Sequence, residues 1–73
     1  MPLGRRRITD PTIAVVEEEG RHVSYTVPIG AVVIVDMNSL QGNGLVDVVW
    51  SEKPVMMFAQ DLRSRSQPLN EDE

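Results

Sequence analysis

The sequence predicts an all-β domain, and three observations predict it. Valine and isoleucine carry the apolar content, while tyrosine, tryptophan and phenylalanine occur once each, as Tyr25, Trp50 and Phe58. β-Branched side chains favour strands over helices. Turn residues cut the middle of the chain into five short segments at the spacing of a small barrel or sandwich. One segment, His22 to Val27, alternates strictly between apolar and polar residues.

The first segment is Ile13 to Glu18, ended by Glu19-Gly20, where glycine accepts the positive φ of a tight turn. In the second, Val23, Tyr25 and Val27 face one side of a sheet and His22, Ser24 and Thr26 the other. Pro28 ends it, because proline cannot donate to a ladder. Ala31-Val32-Val33-Ile34-Val35 is apolar on both faces, so it is a central strand or part of an interface, and Asp36 stops it. Gly42-Asn43-Gly44 predicts a hairpin turn. Leu45 to Trp50 then places Val46, Val48 and Trp50 on one face and Leu45, Asp47 and Val49 on the other. The last segment reads two ways. Val55 to Ala59 suits a strand, yet Val55, Phe58, Ala59 and Leu62 also fit helical spacing, and Ser51 suits a helix cap.

From Pro28 onward the chain resembles an SH3-like small β-barrel. Pro28-Ile29-Gly30 opens an apolar strand, a long loop follows, then Gly44-Leu45-Val46-Asp47-Val48-Val49-Trp50 and Val55-Met56-Met57-Phe58, closed by Asp61-Leu62-Arg63. The resemblance implies a five-stranded barrel with a terminal 3₁₀ turn, Leu62 plugging its end and Phe58 inside beneath it. The implied layout is a flexible basic arm over 1–11, a barrel over 12–63 and a disordered acidic tail over 64–73. The plasmid-type dihydrofolate reductases are stand-alone barrels of similar length. Their Val-Gln-Ile-Tyr pore motif corresponds here to Val55-Met56-Met57-Phe58, which lacks the glutamine and the tyrosine hydroxyl, so their activity does not carry over.

Composition narrows the function classes. With 73 residues the chain makes one domain, and cysteine is absent, so no disulfide can staple it. His22 is the only histidine, too few for a structural zinc site, and His22 with Asp36 or Asp47 is a poor ligand set. No cofactor or metal is expected. His22 and Ser24, at i and i+2 on a strand, lack an acidic third member for nucleophilic catalysis. Glu17-Glu18-Glu19 reads as a solvated turn, and Gly42-Asn43-Gly44 has no helix behind it to cradle phosphate. Apolar runs are too short to cross a bilayer, and the residues after Arg5-Arg6-Arg7 form no signal-peptide core, so a cytoplasmic protein without membrane contact is expected.

What remains is surplus apolar surface. A chain of this size rarely draws more than roughly 3–5 kcal/mol from one core. Burying one Val, Leu or Met side chain is worth about 1.5–3 kcal/mol. Val33, Leu45, Val49 and Met56, read as outward, therefore predict a homo-oligomer interface or a protein partner for a non-catalytic binding module. The alternative is a nucleic-acid-binding barrel in which Arg5, Arg6 and Arg7 meet phosphates and Tyr25 or Trp50 stacks on bases, against which the net charge of -4 argues. A third reading is an enzyme whose site forms at an oligomer axis, lined by repeated His22 or Asp47.

Overall fold

The structure, a computed structural model, describes residues 3–69. Seven strands form one antiparallel sheet: β1 (Leu3–Ile8), β2 (Thr12–Glu18), β3 (Arg21–Val27), β4 (Val32–Asp36), β5 (Leu45–Trp50), β6 (Lys53–Phe58) and β7 (Ser66–Pro68). A 3₁₀ turn, Met37–Gln41, follows β4, and an α-helix, α1 (Ala59–Arg65), links β6 to β7. The order across the sheet is β3-β2-β6-β5-β4-β1-β7. It is not closed: among the described residues nothing pairs β3 with β7, and both remain edges.

All five expected strands form, but the expected five-stranded closed barrel does not. The arm read over 1–11 supplies β1, which pairs with β4 from Leu3↔Asp36 to Arg7↔Val32. The tail read over 64–73 supplies the end of α1 and β7, which pairs with β1. Glu71, Asp72 and Glu73 lie outside the described residues. Alternation in β1 turns Gly4, Arg6 and Ile8 inward, and a glycine and an arginine at core positions hide the apolar period. Arg6 is buried, and donates from Nε to Ser66 Oγ at 2.7 Å and from Nη2 to the Ser66 carbonyl at 3.0 Å. Burial pulls its guanidinium below the ordinary arginine value.

Two tight turns set the register. Glu19 and Gly20 have φ of 52° and 77°, and Ser51 and Glu52 have 56° and 65°. Paired positive φ values mark the turn whose twist matches its flanking strands. The hairpin expected at Gly42-Asn43-Gly44 is instead the end of a longer connection, because Asp36 accepts a hydrogen bond from the Asn38 amide at 3.0 Å and starts the 3₁₀ turn. Beyond β6, the strand and helix readings each hold for half the segment: strand to Phe58, α-helix from Ala59 in place of a terminal 3₁₀ turn. Asp61 in the first turn and Arg63 and Arg65 in the last suit the helix dipole. Arg63 also donates to the carbonyls of Leu40 and Gly42 at 2.6 and 2.7 Å.

The core lies between the concave sheet face and α1. Ile8, Val27, Val33, Val35, Met57 and Leu62 are fully buried there. Phe58, expected beneath Leu62, points outward and is 43% exposed, because the phase of β6 turns Val55 and Met57 inward.

Candidate functional site

The concave face is covered at one end by α1 and the 3₁₀ turn. Its other end opens between the β2–β3 and β5–β6 hairpins. Proline chemistry accounts for the opening. β2 and β6 pair only at Ala14↔Met57 and Val15↔Met56, and the next bonded pair would set Glu17 against Pro54. Pro54 has no N–H to donate, so the ladder stops and the strands diverge.

The resulting cleft has a volume of about 360 Å³ and is lined by Val16, Glu18, Tyr25, Trp50, Lys53 and Val55, with Ser51 and Pro54 at its rim. The Tyr25 hydroxyl donates to Glu18 Oε2 at 2.9 Å. That hydrogen bond, then the carboxylate's charge, then partial desolvation hold the Tyr25 phenol above its ordinary value. The cleft thus combines apolar and aromatic walls with one oriented carboxylate and the ammonium of Lys53. It can hold an apolar group with polar ends. The Tyr25–Glu18 hydrogen bond holds the proton on the phenol and does not release a phenolate.

The convex face is a second candidate surface. Leu45 lies opposite Phe58, and extending the β2·β6 register by one residue sets Ile13 beside Phe58. These three are 44%, 43% and 47% exposed. The next row runs Val15, Met56, Asp47, and the row beyond it Pro54, Val49, Ile34, Arg5. A depression of about 330 Å³ among Leu3, Ile34, Asp47 and Val49 breaks the flatness of this face.

The expected interface residues divide. Leu45 and Val49 are exposed and Met56 is half-buried on the convex face, but Val33 is fully buried. In β4 the outward residues are Val32 and Ile34, one step out of phase with the expectation. Of the three arginines, Arg5 and Arg7 are exposed and Arg6 is inside, so strand alternation prevents the three from meeting phosphates together. His22 lies on edge strand β3, with Nε2 4.0 Å from Glu17 Oε2, both in solvent. Three strand spacings, about 14 Å, separate β3 from β5 and Asp47. Among the described residues no cluster of three metal-ligating side chains forms.

Comparison of the chain with protein-family models, curated proteins and solved structures finds no match. The sequence reading missed Ile13, Ile34 and Phe58 on the convex face and the grouping of Glu18, Tyr25, Trp50 and Lys53 in the cleft. The strand phase of β2 and β6 was the available signal for the first group. The second depends on which hairpins end up side by side.

Proposed function

We propose that the protein is a non-catalytic binding module that acts as a homo-oligomer through its convex sheet face. The observation carrying this reading is the exposed apolar row Ile13, Phe58 and Leu45, backed by Met56 and Val49. Among the described residues ten large apolar side chains are exposed while eleven apolar residues are buried, so the surface left over rivals the core. Contiguous exposed apolar faces mark contact sites, and Met56 suits an adaptable one. The face also carries Asp47 and Arg7, so two copies related by a two-fold can set opposite charges together. An SH3-like origin for the strands from β2 to β6 is part of the proposal, supported by their antiparallel pairing in one sheet.

Size-exclusion chromatography with light scattering at micromolar concentration tests it. A mass of two or more chains is expected. A lone species at 8.2 kDa overturns the reading. A fluorescence-anisotropy titration with single-stranded DNA or RNA at low salt addresses the nucleic-acid alternative, in which Arg6, being buried, is not a contact.

A further inference from the structure

The two edges of the sheet are protected unequally. β7 is three residues long and ends on Pro68. Short length and proline are the devices that keep an edge from pairing with another chain. β3 is seven residues long, Arg21-His22-Val23-Ser24-Tyr25-Thr26-Val27, with neither proline nor lysine. Its register with β2 runs unbroken from Thr12↔Val27 to Glu18↔Arg21, so no bulge twists it away. Val23, Tyr25, Thr26 and Val27 are all strong strand formers. No described element covers its outer side.

The turn fixes which backbone groups are free. Glu19-Gly20 is a two-residue turn, so Glu18 and Arg21 close it as a hydrogen-bonded pair. The N–H and C=O groups of Arg21, Val23, Tyr25 and Val27 then point to β2. Those of His22, Ser24 and Thr26 point out of the sheet.

We infer that a second copy of this chain pairs along β3, antiparallel, about a two-fold axis at Ser24. This inference rests on the homo-oligomer reading and adds a second contact to it. The centre follows from the strand itself. Only an axis at Ser24 engages all three outward-pointing residues of each copy: Ser24 with the partner's Ser24, His22 with the partner's Thr26, and Thr26 with the partner's His22. An axis at His22 wastes Thr26, and one at Thr26 sets Ser24 against the partner's Pro28, which has no N–H. The Ser24 register forms about six backbone hydrogen bonds. Two small serines meet where identical side chains must face each other. On the concave side Val23 sits opposite the partner's Tyr25, an aromatic–β-branched pair that occurs twice. No like charges are set opposite each other, since Arg21 faces the partner's Val27.

The pairing bears on the cleft. Tyr25 is 42% exposed and lines it. With the partner's Val23 beside its ring, the wall continues across the axis into the second copy's cleft.

Ser24→Pro is the direct test, because it removes an outward N–H and leaves the β2 ladder whole. Sedimentation velocity over a dilution series should show at least a tenfold weaker association than wild type, with Ser24→Ala unchanged. Ser24→Cys keeps the test valid if the proline variant loses its circular dichroism spectrum. The chain has no other thiol, and a bonded antiparallel pair holds its Cα atoms about 5.5 Å apart, within disulfide range. Under mild oxidation Ser24→Cys should become a covalent dimer at least tenfold faster than Asn38→Cys, an exposed control. A wild type that assembles, a mass that Ser24→Pro leaves unchanged and equal crosslinking rates overturn the β3 pairing and leave the convex-face reading standing. A wild type at 8.2 kDa throughout the series overturns both.

Discussion

Replacing Phe58 and Leu45 with serine separates association from folding. Each side chain is about two-fifths exposed. Burying a whole Leu or Phe is worth about 1.5–3 kcal/mol, so covering the remainder contributes about 1 kcal/mol per side chain. A two-fold interface counts every substitution twice. Phe58→Ser therefore weakens the convex-face contact by about 2 kcal/mol, near 30-fold in Kd, and the pair by about 4 kcal/mol, near a thousandfold. Neither residue belongs to the buried cluster, but more than half of each is already covered within the chain, so by the same arithmetic each substitution should cost the dissociated chain about 1–2 kcal/mol. Sedimentation equilibrium gives the first quantity, and urea unfolding under dissociating dilution the second. If the double variant assembles as the wild type does, the convex face is not the contact. If either substitution alone costs the dissociated chain about 3–5 kcal/mol in urea, as at a fully buried site, that side chain acts as core and the reasoning from exposure fails.

Three further outcomes follow from single residues. Leu62→Ala empties a fully buried site against the sheet and should cost about 2.7–5 kcal/mol, which in urea or thermal unfolding amounts to most of the stability of so small a domain; a loss below about 1 kcal/mol would remove Leu62 from the core. Glu52→Gly relieves a φ of 65° in a turn that favours glycine, and should stabilise the domain by about 0.5–1 kcal/mol in urea, whereas a loss would refute the turn assignment. Tyr25 is the only tyrosine, so its ionisation can be followed by ultraviolet absorbance, with a midpoint above the ordinary value near 10. Because its folded value is raised, its contribution to stability is complete below pH about 10 and is lost as pH climbs through the folded value; Glu18→Gln should bring the midpoint back down, and an unchanged midpoint would deny the hydrogen bond.

The strands the sequence revealed are those whose alternation or turn chemistry is local. His22 to Val27 announces its own phase, and Glu19-Gly20 and Pro28 bound it. Val32 to Val35 was legible as a strand but not in phase, since a run apolar on both faces gives no sign of which side is buried. Val33 reads as a surface residue for that reason, and only its register with Arg6 and Trp50 resolves the matter. Val55 to Leu62 supports two periods at once. The break at Ala59 is set by contacts far along the chain: its amide donates to the Gly44 carbonyl at 2.9 Å, and Thr12 Oγ1 donates to Asp61 Oδ2 at 3.1 Å.

Arg6 shows why β1 and β7 escape a reading of the sequence alone, and the same logic applies to the sites. In isolation three successive arginines form a solvated arm. A strand separates them by alternation, and the middle one must then enter the core or break the sheet. It enters because Ser66, sixty residues away, offers both a hydroxyl and a carbonyl, while the Ser66 hydroxyl itself donates to the Leu62 carbonyl at the end of α1. A buried guanidinium without such acceptors would cost several kcal/mol. The β1 strand and the β7 strand are therefore mutual conditions, and neither can be seen without the other. The cleft has the same character: Pro54 looks like an ordinary loop proline until β2 lies beside it, and only then does its missing N–H open a site between Tyr25 and Trp50.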